Sequence, residues 1–373
     1  MKRSPEIYPG EIYHATKEPE PTPRSIGFVF SGQGLPSRAA MHRHIDNLMS
    51  INPDVTRRNI GLMEEASEIP LSRYIVQRNE TALGRTDVMQ AMIHGAHLTA
   101  IELLQPMLSD PKQTRITAGH SAGEIAAQVA AGFLTPEDSA RVIAERGRLM
   151  HEESIKKPGA LFIPLGLSKK EAQDVIEQTK RDLFFAHYFL SSSIAKSDRW
   201  EILQEASKSL GISPKDFELL LKRRRHVIGL ALSNEPTSQV IGGTKEAVAI
   251  AKQIVKKTGS VRVIDVDAEG AFHTKLMESA REKLGEFYRD ISMQAPNFPI
   301  VLNDGTETMN PEVVRETHIH TMSNPVDWTL AMERFRDIDV IVTIGPGGQV
   351  PGVNKRNGLN ENLVNVVDLL QTR

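Results

Sequence analysis

The chain has 373 residues with 45 basic and 47 acidic side chains, a formal net charge of -2, which gives it no global attraction to nucleic acid or anionic lipid. It contains no cysteine, so disulfides, thiolate metal sites and thiol nucleophiles are excluded together. The length suits one large domain or roughly two to three smaller ones, with room for a sizeable core.

Met1-Lys2-Arg3 has the charge of a signal-peptide start, but Ser4-Pro5-Glu6-Ile7-Tyr8-Pro9 stands where an apolar core would follow, and no later apolar run is long enough to span a bilayer. A cytoplasmic, unexported protein with neither membrane nor nucleic-acid partners is expected. Residues 1–24 hold five prolines among charges and read as an extended leading arm. Ile26-Gly27-Phe28-Val29-Phe30 reads as a buried strand that ends in the glycine-rich turn Ser31-Gly32-Gln33-Gly34. No Gly-x-x-x-x-Gly-Lys-Ser/Thr or Gly-x-Gly-x-x-Gly pattern follows, which argues against a phosphate loop. From Met41 to Leu104 the pattern is mostly helical, with Val88, Met92, Ala96 and Ala100 spaced like one buried face. His94 and His97 lie on that helix without a carboxylate or third histidine nearby in sequence, so a satisfied core or surface role is preferred to metal ligation.

Arg115-Ile116-Thr117 leads into Gly119-His120-Ser121-Ala122-Gly123, and an Ala-rich helix starts near Glu124 and closes at Gly132. Gly-x-Ser-x-Gly between strand and helix is the pattern of a nucleophile elbow, in which the serine stands clear of the sheet edge. By itself the pentapeptide also fits a lipase, a peptidase or chance. Thr135-Pro136-Glu137-Asp138 reads as an N-cap followed by proline at the first helical position.

Strands are then expected at Gly159–Leu165, Val227–Leu232, Ser238–Ile241 and Val261–Val266, with helices from Ser168 through Val175 and from Thr244 to Lys257. The order β-α-β-β-α-β is that of a ferredoxin-like unit. Residues 181–225 interrupt it with a charged, helical-looking insertion that carries aromatic residues and the run Lys222-Arg223-Arg224-Arg225-His226, read as a solvated face. Beyond it, Gly270-Ala271-Phe272-His273 is expected to open a helix, and Pro299–Asn303 and Val340–Ile344 to form strands.

Five separated motifs occur here in a known order: Phe28-Val29-Phe30-Ser31-Gly32-Gln33-Gly34, Gly119-His120-Ser121-Ala122-Gly123-Glu124, Arg146-Gly147-Arg148-Leu149-Met150, Gly270-Ala271-Phe272-His273, and Asn324-Pro325-Val326-Asp327-Trp328 followed by Ile344-Gly345-Pro346-Gly347. In these the sequence resembles the malonyl-CoA:acyl carrier protein transacylases and the acyltransferase domains of polyketide synthases. The resemblance implies an α/β fold: an α/β-hydrolase-like large subdomain (25–155 and 267–373) with an inserted ferredoxin-like small subdomain (156–266) that carries the extra helical insertion, and a cleft between the two.

It also implies roles. Ser121 is the nucleophile and His273 its general base, oriented by the backbone carbonyl of Thr321. The backbone N–H groups of Gln33 and Ala122 form the oxyanion hole. Arg146 pairs with the free carboxylate of a malonyl group, while Gln90 and Asn234 line the pocket. Phe272 resembles the malonyl-selective variant, which leaves little space for a branched α-carbon. No bound cofactor or metal is implied; the substrates would be malonyl-CoA and a phosphopantetheinylated acyl carrier protein, in polyketide or fatty-acid biosynthesis. A basic rim at Lys222–Arg225, Lys355 and Arg356 could meet an acidic carrier. An acyl hydrolase using the same Ser-His pair, and a non-catalytic interaction module, are the alternatives.

Overall fold

A computed structural model describes residues 24–34, 37–191, 204, 207, 208, 226–257, 262–346, 349–359 and 363–372. The leading arm before Arg24, most of the 181–225 insertion including its basic run, and Gly347-Gly348 lie outside the described residues.

The elements in chain order are β1 (Ser25–Phe30), α1 (Arg38–Ile51), α2 (Pro53–Ser67), α3 (Leu71–Val76), α4 (Thr86–Leu103), α5 (Gln105–Leu108), β2 (Thr114–Gly119), α6 (Gly123–Ala131), α7 (Pro136–Lys156), β3 (Gly159–Leu165) and α8 (Lys169–Ser191). They continue with β4 (Ile228–Glu235), β5 (Ser238–Thr244), α9 (Lys245–Lys257), β6 (Arg262–Asp265), α10 (Glu278–Phe287), β7 (Ile300–Val301), β8 (Glu307–Thr308), α11 (Pro311–Thr321), β9 (Val326–Asp327), α12 (Trp328–Glu333), β10 (Val340–Ile344), α13 (Gln349–Arg356), β11 (Leu363–Asn365) and α14 (Val366–Gln371).

Two sheets result. The first has the order β11-β10-β1-β2-β7-β8, parallel except for the antiparallel pair β7 and β8. Its centre is apolar on both faces, with Phe28, Val29, Phe30, Val342 and Ala118 all at 0% exposure, as expected of parallel strands covered by helices. The second has the order β6-β3-β5-β4-β9. Its hairpin β4–β5 and the helices α8 and α9 enclose a separate small core around Phe162, Ile176, Ile241 and Val255.

Helix α4 lies in the middle of the larger core, and every residue from Thr86 to Ile101 is buried. The one-faced pattern expected there understates this, because α4 is covered by α2 and α7 as well as by the sheet side. Thr135 caps α7 as expected, its Oγ1 accepting from the Asp138 N–H at 3.0 Å.

Three boundaries differ from expectation. Helix α8 runs on through Arg181 to Ser191, because no glycine or proline interrupts it and Lys180 pairs with Glu177 at 2.8 Å. His273 precedes α10 and lies before a single 3₁₀ turn, Lys275–Met277. The second sheet also takes in β9, which pairs parallel to β4 through Leu232↔Val326 and Ser233↔Asp327. A strand from beyond residue 266 therefore closes that sheet's edge.

Candidate active site

The elbow forms at the C-terminal end of β2. Its two glycines are steric requirements: a Cβ on Gly119 would lie 2.1 Å from the Gly123 carbonyl, and one on Gly123 would lie 2.6 Å from the carbonyl oxygens of Phe30 and Ser31. Ser121 between them has φ +51°, a left-handed conformation that costs a non-glycine residue about 1–3 kcal/mol and persists where surrounding contacts fix it. His273 has a similar φ of +57°.

These two residues meet. Ser121 Oγ is 2.8 Å from His273 Nε2, and His273 Nδ1 is 2.6 Å from the Thr321 carbonyl oxygen. That carbonyl lies at the end of α11, where the last C=O groups have no partner within the helix. A carbonyl can only accept, so Nδ1 carries the proton and Nε2 presents its lone pair to the serine hydroxyl. Burial, and then the Arg146 charge, push the His273 imidazole down to about 3, so the ring is neutral at ordinary pH.

Arg146 comes from the other side, on α7. Gly147 lets α7 approach the N-terminal turn of α4 closely, since a Cβ there would lie 2.9 Å from Asp87 Cα. The Arg146 guanidinium is 2% exposed; it donates to Gln90 Oε1 at 2.7 Å and to Ser121 Oγ at 3.2 Å. Burial lowers its pKa to about 10, which leaves it charged. Gln90 passes the connection on, its Nε2 donating to Gln33 Oε1 at 3.1 Å, and Gln33 Nε2 donates to Thr86 Oγ1 at 3.2 Å. The turn after β1 is thus tied to Arg146 through Gln90. Among the described residues the backbone N–H groups of Gln33 and Ala122 have no hydrogen-bond acceptor, and Ala122 directly follows the serine.

Phe272 is buried next to His273. Asn234 was expected in the pocket. Its Oδ1 instead faces His120 Nε2 at 2.9 Å, and the His120 ring meets Trp328 edge-on at 5.1 Å. Asn234 thus supports the residue before the serine, with no hydrogen bond to Ser121, His273 or Arg146. Of the candidate basic rim, Arg356 is paired with Glu235, which neutralises it. His94 and His97 are fully buried, facing Ser139 Oγ at 2.9 Å and Ser31 Oγ at 3.3 Å, and no group of three candidate metal ligands occurs among the described residues. Among these residues no helix is long and apolar enough to cross a membrane.

The sequence reading missed one group at the site. Asn303 Oδ1 accepts the Ser121 N–H at 3.0 Å, and the fully buried Glu124 accepts from Asn303 and, at 2.8 Å, from His318 Nδ1. Glu124 falls within a quoted motif and Asn303 ends an expected strand, but nothing in their spacing brings them together. Beside His273 a cleft of about 540 Å³ opens between α8 and β4 on one side and residues 323–330 on the other.

An acyl transferase domain family matches residues 27–180, a stretch that holds the turn after β1, the elbow and Arg146. Over that stretch the chain resembles an acyl transferase domain. Its relatives include the malonyl CoA-acyl carrier protein transacylase of Escherichia coli K12, 28% identical over 248 residues. That match covers 66% of this chain and 66% of the relative, just under two thirds of each. Among solved structures, the malonyl-CoA:acyl carrier protein transacylase of Xanthomonas oryzae pv. oryzae superposes with a TM-score of 0.73 at 24% identity, covering 93% of this chain and 95% of that one. A malonyl-transacylase in complex with its type II PKS acyl-carrier protein gives a TM-score of 0.69 at 23% identity, covering 94% and 100%. Likeness at these identities speaks for the fold, which for this chain is the two-sheet α/β arrangement described above.

Proposed function

We propose that this acyl transferase moves a malonyl group from coenzyme A to the phosphopantetheine thiol of an acyl carrier protein, through an ester on Ser121. The observation that carries the reading is Arg146. Its buried guanidinium stands 3.2 Å from the serine oxygen, Nε has no acceptor, and no carboxylate is hydrogen-bonded to it among the described residues. Glu124 acts on this cation only through space, and a buried cation with no hydrogen-bonded anion is costly, so an acyl group ending in a carboxylate completes the site where a neutral one does not. The planar fork of arginine matches such a carboxylate bidentately.

In the first half-reaction Ser121 Oγ attacks the thioester carbonyl carbon and its proton passes to His273 Nε2. The negative charge that develops on the carbonyl oxygen is taken up by the Gln33 and Ala122 N–H groups. The C–S bond breaks, and the departing thiolate of coenzyme A takes the proton from His273. In the second half-reaction the carrier's thiol gives its proton to His273 and attacks the ester carbonyl. Collapse of that intermediate returns the proton to Ser121 Oγ. The neutral state of His273 suits both proton transfers. A malonyl carboxylate on Arg146 would also offset the guanidinium charge that depresses the imidazole, so the base gains strength when the acid substrate is bound.

Phe272, buried beside the base, favours malonyl over methylmalonyl, since a branched α-carbon would have to displace the ring. The thioester arm is assigned to the cleft beside His273, which is lined by Ile176, Ile228, Leu230 and Thr274 as well as by lysines paired with Asp327, Glu177 and Glu278. The second sheet is read as a ferredoxin-like insert in an α/β-hydrolase-like body; the order β6-β3-β5-β4 of its first four strands supports that reading.

The test is incubation with malonyl-CoA and holo acyl carrier protein, followed by intact mass of both proteins. Loaded carrier and a malonyl adduct on Ser121 are expected. Free malonate with an unloaded carrier would indicate an acyl hydrolase, and no adduct at all a non-catalytic interaction module.

A further inference from the structure

We propose that Asn303 and Glu124 are positioning residues for the nucleophile: Asn303 clamps the Ser121 backbone in its left-handed conformation, and Glu124 fixes the Asn303 amide in the one orientation that can do so. The inference rests on the reading of Ser121 as nucleophile, but on neither its acyl group nor its acceptor.

Strand β7 lies beside β2, with Ala118 paired to Val301. Two residues further on, the chain brings Asn303 level with the elbow. On the opposite flank the His120 N–H is already used by the Phe30 carbonyl at 2.9 Å, so the next N–H, that of Ser121, needs a different acceptor. Asn303 Oδ1 supplies it at 3.0 Å. An N–H held in this direction fixes the backbone on the N-terminal side of Ser121, and with it the side from which Oγ meets His273 Nε2 at 2.8 Å.

An asparagine amide could equally present its NH₂ group to Ser121, where donor would face donor. Glu124 prevents that. Its Oε2 accepts from both the backbone N–H, at 3.0 Å, and the Nδ2 of Asn303, and Oε1 faces His318 Nδ1 at 2.8 Å. A carboxylate can only accept, and Oε2 already takes the Asn303 backbone N–H, so Nδ2 must turn to Glu124 and Oδ1 to Ser121. Glu124, Asn303 and His318 are 0%, 0% and 1% exposed, so water does not compete for these bonds. The Asn303 carbonyl also accepts the Asp327 N–H at 2.7 Å, which ties the clamp to β9 and the second sheet. Glu124 is three residues beyond the serine, the second residue of α6, and its carboxylate reaches Asn303 just past β7.

The test measures Ser121 reactivity directly, with a fluorophosphonate probe. Ser121 Oγ attacks phosphorus, fluoride leaves and His273 takes the proton, so the rate constant reads nucleophile geometry without any acyl substrate. Asn303→Ala and Asn303→Asp should each lower the phosphonylation rate constant about 100-fold, the cost of an ångström-scale misplacement of a reacting group. The Asn303→Asp variant sets a second carboxylate against Glu124. Adding Glu124→Gln to it restores a donor facing an acceptor, and should recover at least about tenfold of the lost rate, a coupling typical of side chains in direct contact. A merely structural role would lower the reactive fraction, read as burst amplitude, and leave the rate constant of the folded fraction unchanged. That result, or an Asn303→Ala rate constant within about twofold of the parent, overturns the proposal. If the parent protein reacts with the probe but forms no adduct with malonyl-CoA, the functional reading fails and the positioning comparison still stands.

Discussion

Replacing Arg146 by alanine separates the substrate's contribution from that of the fold. In the parent site the guanidinium bonds to Gln90 at 2.7 Å and to Ser121 at 3.2 Å, with Nε unpartnered, so a malonyl carboxylate would meet a buried donor with hydrogen-bonding capacity in reserve. Truncating one partner of a buried charge pair costs about 2–5 kcal/mol, which is roughly 30-fold to a few thousand-fold in kcat/KM. Acetyl transfer gains no carboxylate contact from Arg146 and suffers from its charge, since the guanidinium depresses the His273 imidazole. R146A should therefore lose malonyl transfer by at least about 30-fold and keep or improve acetyl transfer. Burst acylation of Ser121 by malonyl-CoA and by acetyl-CoA, followed by intact mass in quenched samples, gives both rates from one preparation. An equal loss for the two acyl groups would refute the reasoning, because Arg146 would then be acting through its bond to Ser121 Oγ rather than on a substrate carboxylate.

Phe272→Ser should raise the rate with methylmalonyl-CoA relative to malonyl-CoA by about tenfold or more, the scale at which a pocket discriminates one methyl group, in the same burst assay; an unchanged ratio would remove Phe272 from selectivity. Gly119→Ala and Gly123→Ala place a Cβ 2.1 and 2.6 Å from backbone atoms and should each destabilise the protein by about 1–3 kcal/mol or more, read by urea denaturation, whereas Gly34→Ala, with nothing within 4 Å of its Cβ, should stay within about 0.5 kcal/mol. Stability should fall on acidification. Burial pushes His44 down to about 4 and His94 to about 3, and burial with the Arg146 charge takes His273 to about 3, so below the ordinary histidine value of 6.5 the unfolded chain binds protons that the folded chain does not. Their stabilising contribution is complete above pH 6.5 and declines toward pH 3–4, at up to about 1.4 kcal/mol per pH unit for each histidine. A urea midpoint that is flat or rises between pH 7 and pH 5 would contradict these burial assignments.

What the sequence by itself determined is local. Gly119-His120-Ser121-Ala122-Gly123 between a strand and an Ala-rich helix specifies an elbow, because only glycine lets β2, α6 and β1 approach so closely. Thr135-Pro136 starts α7, and the apolar runs of β1, β3, β5 and β10 are strands in the structure, since caps and periodicity act within a few residues of chain. The distant pairings had no such local signal. His273 and Arg146 could be assigned roles from their motifs, but that both bond to one serine oxygen, at 2.8 and 3.2 Å, follows from the packing of α7 on α4 and the way the chain before α10 enters the cleft. Asn234 has a pocket residue's motif and a different partner, His120. Asn303 and Glu124 are separated by 179 positions and become one clamp only because β7 lies beside β2. The β9 strand joins the second sheet from far along the chain, for the same reason: sheet edges are set by what covers them. Chemistry carried by one residue and its neighbours is legible in sequence, whereas hydrogen bonds between residues remote in the chain are decided by which elements lie side by side in the fold.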